Sequence, residues 1–149
     1  MKNHHSPRKF LPVAAIILVL CLLLLYQSLG SGAALKNKRE AQNTASVFMY
    51  AYAQIDTETL YKLYDFSGMS AESEKKMKEQ LILFSQRLKG ECEKKQGLNT
   101  IKIYLLGDAE DLQEGQTLEV KPNIYYENGD VETMHIKLVW HQSGWKVIF

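Results

Sequence analysis

The stretch that decides the fold is IYYENGDVETMHIKLVWHQSGWKVIF, residues 124–149. Apolar and polar side chains alternate along it, with the period of two that is typical of β-strands. Asn128 and Gly129 interrupt the alternation once, and both residue types tolerate the positive φ of a two-residue hairpin turn. The sequence HQSG at 141–144 interrupts it a second time. The stretch therefore predicts a meander of three antiparallel strands.

One more strand comes before this meander. NTIKIYLLG at 99–107 alternates in the same way, and the first strand of the meander extends back to QTLEV, so that it covers 116–127. The other two strands are predicted at 131–140 and 145–149. Pro122 stands inside the strand at 116–127 and has no N–H for a ladder, which predicts a β-bulge or an edge position there. The sequence thus predicts four strands.

Ahead of the strands, apolar residues recur with the helical period of 3.6. From Ala33 onward a first helix carries a stripe of small and aromatic residues. Asp56 or Thr57 caps a short second helix, and Ser70 caps a third helix that ends near Gly90. Helices followed by a meander predict an α+β fold, with three helices packed on a four-stranded curved antiparallel sheet. The stripe of the first helix consists of Ala41, Ala45, Phe48, Tyr52 and Ile55.

The N-terminal part of the chain has a different composition. The 26 residues between Lys9 and Lys36 carry no charge, and they begin with the apolar run FLPVAAIILVLCLLLLY. Twenty helical residues span roughly 30 Å, the thickness of a bilayer's hydrocarbon core. Residues 10–29 therefore predict a single transmembrane signal-anchor helix. The alternative is a secretory signal that is cleaved near Gly30 and releases the rest of the chain. A lipoprotein signal at Cys21 is disfavoured, because leucines stand on both sides of it.

Four segments follow from these patterns: a basic flank at 1–9, the transmembrane helix at 10–29, a short linker at 30–35 and one domain at 36–149. Three basic residues flank the apolar segment on each side, so the positive-inside rule does not decide the orientation. The free α-amino group favours a cytoplasmic N-terminus. The domain is then predicted to lie outside the cytoplasm, at the cell membrane, on a single-pass anchor.

The composition of the domain excludes several function classes. Residues 33–149 carry 15 basic and 17 acidic side chains, a net charge of −2, so the basic surface that nucleic-acid binding requires is missing. Cys92 is the one cysteine of the domain, and neighbouring Glu91 and Glu93 are expected to raise the pKa of its thiol. No spacing of cysteine and histidine is typical of a zinc site. We predict no metal, no cofactor and no nucleic-acid partner.

Three features together resemble the nuclear transport factor 2-like (cystatin-like) superfamily: the stripe of the first helix, the short second helix in IDTETLYKLY at 55–64, and the closing hairpin QSGWKV at 142–147. The resemblance covers 36–149. It implies a cone-shaped sheet around the long helix, with a pocket at the open end. In many small bacterial members this domain follows a signal peptide or one membrane helix. Members include isomerases, dehydratases, binding modules and membrane-tethered scaffolds, so the fold does not decide the function.

Candidate residues for chemistry are few. An enzyme of this kind needs a general acid or base in its pocket. The alternation places His135 on the solvent face of its strand, while His141 is interpreted as a polar turn residue, and Asp65 as the end of the second helix. No catalytic residue is predicted. The candidate pocket-lining residues are Tyr52, Tyr125, His135, Trp140 and Trp145.

The sequence favours a membrane-tethered, extracytoplasmic binding or interaction module of an envelope assembly, without catalysis, whose partner is a protein or a small ligand. One alternative is a small-ligand enzyme of the isomerase or dehydratase type that uses a pocket histidine and tyrosine. Another is a scaffold component of a secretion or conjugation apparatus. A carboxylate within hydrogen-bond reach of His135 in a closed cavity would favour the enzyme, whereas a cavity filled by aromatic side chains would favour the binding module.

Overall fold

In the computed structural model the backbone is described for residues 11–109 and 112–149, and the side chains for 32–109 and 112–149. Three helices precede an antiparallel sheet, so the predicted α+β class is confirmed. The helices are α1 (Leu11–Gln54), α2 (Thr57–Leu63) and α3 (Ala71–Lys94). The strands are β1 (Leu98–Leu106), β2 (Thr117–Tyr126), β3 (Val131–Thr133), β4 (Ile136–His141) and β5 (Gly144–Ile148).

The sheet runs in the order β1-β2-β4-β5, with β3 paired to β2. The predicted hairpins are both present. After β2, the Tyr126 amide donates to the Asp130 carbonyl, and Gly129 adopts a positive φ of 90°. After β4, Gly144 closes the second turn with a φ of 114° and pairs with His141. Glycine is favoured at both positions because a side chain is strained at such angles.

The sheet has five strands rather than the predicted four, because Pro122 divides the predicted third strand into β3 and β4. The Met134 amide donates to the Pro122 carbonyl at 2.9 Å. Proline has no N–H with which to return this bond, so the ladder is interrupted without an inserted residue. Pro122 lies in the inner strand β2, and the bulge of the sheet lies in β1, between Leu98 and Thr100. The predicted bulge or edge position at Pro122 is therefore wrong.

The core lies between the inner face of the sheet and the three helices. Ala41 and Ala45 are fully buried, and their small side chains let α1 approach the sheet closely. Burying a large apolar side chain contributes about 1.5–3 kcal/mol, so a continuous core accounts for most of the stability of a domain of this size. Its largest fully buried side chains include Phe48, Met49, Leu60, Leu81, Val120, Ile124, Leu138 and Val147.

The helix caps follow the sequence more closely than the helix ends do. The Asp56 carboxylate accepts the Thr59 amide at 3.2 Å and Ser70 Oγ accepts the Ser73 amide at 3.2 Å, so both caps are confirmed. The third helix, however, continues past Gly90 to Lys94. A glycine inside a helix costs about 1 kcal/mol, which packing of the following turn offsets.

The N-terminal helix is also longer than predicted. α1 is continuous through residues 30–32, within the segment predicted as a short linker, so this part of the chain is helical. The transmembrane prediction for residues 10–29 concerns side chains outside the described residues. Among the residues that the structure describes, no helix has both the length and the apolar character needed to cross a membrane. The segment boundaries stay predictions.

Candidate functional site

An open groove of about 610 Å³ lies between the helices and the inner face of the sheet. We call it the aromatic groove. Its walls come from α1, α3, β3, the link between β3 and β4, and the end of β5. It is lined by Tyr52, Phe84, Arg87, Leu88, Glu91, Glu132, Met134, His135 and Phe149.

Aromatic rings form one wall of the aromatic groove. The Phe149 ring lies 6.1 Å from the Phe48 ring and 6.4 Å from the Tyr52 ring, measured between centroids. Phe48 and Tyr52 are buried, whereas Phe149 is 51% exposed and Phe84 is 46% exposed. Two apolar rings thus remain open to solvent at the groove, while the rings beneath them are held in the core.

The carboxylates of the aromatic groove already have partners. Glu91 accepts a hydrogen bond from Lys94 at 2.9 Å, and this ion pair lowers the pKa of Glu91. Glu132 accepts the Tyr126 hydroxyl at 2.8 Å and lies 3.6 Å from Lys95 Nζ. Both negative charges are therefore compensated by side chains outside the groove lining.

Arg87 is the cation of this groove, and it has no close ion-pair partner among the described residues. Within the described part of the chain it makes no hydrogen bond and no ion pair. Its electrostatic neighbours in the groove are Glu91, whose pKa its charge helps to lower, and Tyr52. Burial raises the pKa of Tyr52 to about 12, and the positive charge of Arg87 acts in the opposite direction. The groove therefore combines exposed rings with a guanidinium group that is available to an anion.

Two of the five predicted pocket residues, Tyr52 and His135, line the aromatic groove. His135 is exposed at its rim, and no hydrogen bond joins it to a carboxylate among the residues that the structure describes. Tyr125 lies on the other face of the sheet, with Lys102 Nζ 5.0 Å from its ring centroid. The ring centroids of Trp140 and Trp145 lie 5.4 Å apart, and neither residue lines the groove.

A second constellation, which we call the histidine cluster, consists of Asp65, Glu114 and His141. Nδ1 of His141 lies 2.6 Å from Glu114 Oε1, and Nε2 lies 3.1 Å from Asp65 Oδ2. Hydrogen bonds to Glu114 and then to Asp65 raise the pKa of His141. Glu114 also accepts the Gln142 amide at 2.8 Å. A polar groove of about 490 Å³, to which Ser67, Ser143 and Lys146 contribute as well, surrounds the cluster.

Comparison with known proteins identifies the architecture. No family model matches the chain, and no curated protein matches it. A solved structure from Campylobacter jejuni, provisionally named an NTF2-like transpeptidase, matches with a TM-score of 0.63 at 14% identity, over 73% of this chain and 97% of that one. The fold is nuclear transport factor 2-like. At this identity the likeness shows the fold alone, and it confirms the fold that the sequence resemblance implied.

On this nuclear transport factor 2-like fold, the two constellations differ in what they can do chemically. A general base needs a ring nitrogen with a lone pair, and both nitrogens of His141 face carboxylates. His141 is therefore not free to act as a base. Its two contacts instead connect the end of α2, the segment before β2 and the β4–β5 turn. The described residues contain no group of three or more histidine, cysteine, aspartate or glutamate side chains arranged to hold a metal ion.

Sequence reasoning missed the histidine cluster. His141 had been interpreted as a turn residue and Asp65 as a helix end, and these two residues are 76 positions apart. Their meeting depends on the path of the chain, in which the Asp65 amide donates to the Val147 carbonyl at 2.9 Å beside the last hairpin. Local spacing carries no signal of such a contact.

Proposed function

We propose that this chain is a membrane-tethered, extracytoplasmic binding module, and that its aromatic groove holds a small ligand with an apolar body and an anionic group. The observation that carries this proposal is the combination, in one groove, of exposed rings and an Arg87 that makes no ion pair with a described residue. Small-molecule sites are concave, mostly apolar and about 300–1,000 Å³ in volume, with a few polar groups that orient the ligand. The volume of the aromatic groove lies in this range, and five of its nine lining residues are apolar or aromatic.

The charge pattern supports an anionic group on the ligand. Glu91 and Glu132 are paired with lysines, so neither requires a cation from a ligand. A guanidinium group binds carboxylates, sulfonates and phosphates through paired N–H donors. The apolar body of the ligand would lie on Phe84 and Phe149, and its anionic group would face Arg87.

The membrane tether rests on the apolar composition of residues 10–29. The continuity of α1 adds a structural consequence, because the helix that begins at Leu11 also carries Tyr52 of the aromatic groove. Anchor and ligand site would then share one helix, and the groove would be held at a constant height above the membrane. A protein partner in the same envelope would meet it at that height.

Binding without catalysis is better supported than the isomerase or dehydratase alternative. His135 has no carboxylate partner among the described residues, and both nitrogens of His141 are occupied. Transpeptidation, the activity in the provisional name of the similar structure, requires an activated nucleophile. Cys92 is buried, and burial followed by the charge of Glu132 raises the pKa of its thiol. Such a thiol is a poor nucleophile at neutral pH.

The proposal is tested by titrating full-length protein in nanodiscs with 2-naphthoate, a small aromatic carboxylate. Methionines carry ¹³C-labelled methyl groups, and Met134 reports on the aromatic groove while buried Met49 serves as the internal reference. We expect the Met134 signal to shift with saturation, and Arg87→Gln to weaken binding about tenfold, as the loss of a charge-assisted hydrogen bond implies.

The matched control is Lys75→Gln, which removes an exposed positive charge from the same helix outside the groove. Its affinity should equal that of the unchanged protein. A Met134 signal that does not move at millimolar 2-naphthoate contradicts the ligand site. Extraction of the full-length protein from membranes by alkaline carbonate, without detergent, would separately contradict the tether.

A further inference from the structure

The sheet has an open edge at β1. β1 is nine residues long and lies at the end of the strand order, where β2 is its one partner among the described strands. An edge strand presents a row of main-chain donors and acceptors, and proteins usually shorten, cover or charge such edges. Here Lys102 is the one charged residue along the strand.

The main-chain groups that face this edge can be identified from the pairing. The Pro122 carbonyl accepts the Met134 amide, so the main-chain groups of Pro122 point away from β1. Ile103 pairs with Pro122, and its own groups consequently point away from β2, toward the edge. The alternation along a strand gives Leu105 the same orientation.

One amide of this edge row is satisfied by α1, and the next two are not. The Ile101 amide donates to the Tyr50 hydroxyl at 3.3 Å. For the edge-facing amides of Ile103 and Leu105 no hydrogen bond to any described residue is present. The unsatisfied part of the edge is therefore the half of β1 that leads to Leu106.

A groove of about 490 Å³ runs beside this half of β1, with α1 as its other wall. We call it the edge groove. Leu35 is 63% exposed and Leu106 is 46% exposed at this end of the domain, so apolar surface adjoins the open main-chain groups. The edge groove is lined by Leu35, Lys38, Arg39, Gln42, Ile103, Tyr104, Leu105 and Gly107.

The charge of the edge groove indicates the chemistry of its occupant. Its described lining contains two cations and no carboxylate. Lys38 is paired with Asp108 at 2.7 Å, whereas Arg39 makes no ion pair with a described residue. An occupant with carboxylates would therefore complement Arg39 while its backbone completes the ladder.

We propose that the edge of β1 binds an extended acidic segment of a partner protein by strand addition. The segment's main chain would exchange hydrogen bonds with Ile103 and Leu105, as peptides do when they extend a sheet. Alternate side chains of the segment would lie on Leu35 and the inner face, and a carboxylate would face Arg39.

A second copy of this chain fits the edge less well, if the proposed tether holds. The side-chain amide of Asn37 donates to the Ala109 carbonyl and the backbone amide of Ile101 donates to the Tyr50 hydroxyl, so α1 runs antiparallel to β1. Symmetric antiparallel pairing of two β1 strands reverses the direction of α1 in the second copy. The two N-terminal segments would then point in opposite directions and could not enter the same membrane from one side.

The test uses full-length protein in nanodiscs and a fluorescein-labelled peptide of eight alternating valine and glutamate residues. We expect saturable binding by fluorescence anisotropy, and slower hydrogen exchange at the amides of Ile103 and Leu105 when the peptide is bound. A peptide N-methylated at the ladder-facing positions should bind at least tenfold more weakly, because it cannot donate to the edge. A peptide with lysine in place of glutamate should also bind more weakly.

Variants locate the site. Arg39→Glu should weaken the glutamate peptide about tenfold, whereas Lys75→Glu on α3, far along the sequence from the edge groove, should leave its affinity unchanged. Ile103→Pro removes one edge-facing amide at a position where proline is tolerated, and it should abolish the protection at Leu105. If this variant does not fold, the N-methylated peptide makes the same test.

Three outcomes would overturn the inference. The first is equal binding of the N-methylated peptide. The second is protection of both amides without peptide, together with a dimer in the nanodisc, which would place a second copy on the edge. The third is a Met134 methyl shift in place of amide protection, which would move the peptide to the aromatic groove. Failure at the edge leaves the 2-naphthoate titration unaffected, so the two proposals are tested independently.

Discussion

The aromatic groove and the histidine cluster make opposite uses of charge. In the aromatic groove the carboxylates are paired and Arg87 is left without an ion pair among the described residues. In the histidine cluster, the imidazole of His141 is bonded on both sides, and Glu114 has an amide as a second donor. A charged side chain without an ion pair at a surface is available to a ligand, whereas side chains whose hydrogen bonds are all made within the protein stabilise the fold.

The closing strand β5 connects the two regions, and its loss should have the largest effect. Deleting residues 145–149 removes buried Trp145 and Val147 together with the Phe149 ring of the aromatic groove. Losing one such side chain costs about 2–5 kcal/mol, so the deletion exceeds the stability of an ordinary domain. We expect no cooperative thermal transition by circular dichroism. An unchanged midpoint would contradict this role of β5, and Phe149→Ala, which keeps the strand, serves as the control.

A smaller loss should follow from opening the histidine cluster. His141→Gln removes two charge-assisted hydrogen bonds at a partly exposed site, and we expect the free energy of unfolding to fall by about 1 kcal/mol at pH 6. Urea denaturation measures it. His135→Gln is the matched control, because His135 is exposed and has no hydrogen bond to a described residue. Equal stability of the two variants would mean that the histidine cluster does not stabilise the fold.

The contribution of the histidine cluster to the stability of the fold should depend on pH. Glu114 and then Asp65 raise the pKa of His141 above its ordinary value of 6.5. The stabilisation by His141 is therefore complete below about pH 6.5 and is lost as the pH rises through the higher pKa of the folded state. The stability difference between the unchanged protein and His141→Gln should shrink between pH 6 and pH 9. A difference that grows over this range would show the sign to be wrong.

At the acid end, Asp65 acts in the other direction. Burial opposes ionisation of Asp65, but hydrogen bonds from Ser67 and His141 outweigh it and lower the pKa of the carboxyl group. Its stabilisation is present above the ordinary pKa of about 3.9 and is lost as the pH falls through the lower value of the folded state. In Asp65→Asn, the free energy of unfolding from urea denaturation should fall less steeply as the pH is lowered below about 4. The same fall in this variant and in the unchanged protein would contradict the role of Asp65.

The smallest effect on stability is expected at Arg87. Because this side chain makes no ion pair within the described residues, Arg87→Gln should change the free energy of unfolding by less than about 0.5 kcal/mol. Urea denaturation of this variant against Lys75→Gln provides the measurement. A loss above 1 kcal/mol would show that Arg87 belongs to the fold, and the contrast between the two regions would disappear.

Much of the fold could be predicted from local patterns. The alternation of 124–149 predicts the hairpins, since Asn128 and Gly129 supply the turn, and the buried alanines of α1 follow from the stripe of the first helix. The fifth strand could not be predicted in this way. Whether Pro122 interrupts a ladder depends on which neighbour its missing N–H would face, and this requires the strand order.

The candidate sites were less predictable than the fold. Tyr52 and His135 reach the aromatic groove, but Arg87, the cation of the groove, is not among the residues that the sequence predicts to line a pocket. The histidine cluster joins residues that are 76 and 27 positions apart. Contacts at such separations follow from the path of the whole chain, and no local period records them.

The most direct test of the contrast compares 2-naphthoate with its uncharged amide, 2-naphthamide, on the unchanged protein and on Arg87→Gln. The Met134 methyl shift reports binding in each case. We predict that the unchanged protein prefers the carboxylate about tenfold and that Arg87→Gln binds both compounds equally. Equal affinity for both compounds in the unchanged protein would contradict the claim that the aromatic groove receives an anionic ligand through Arg87.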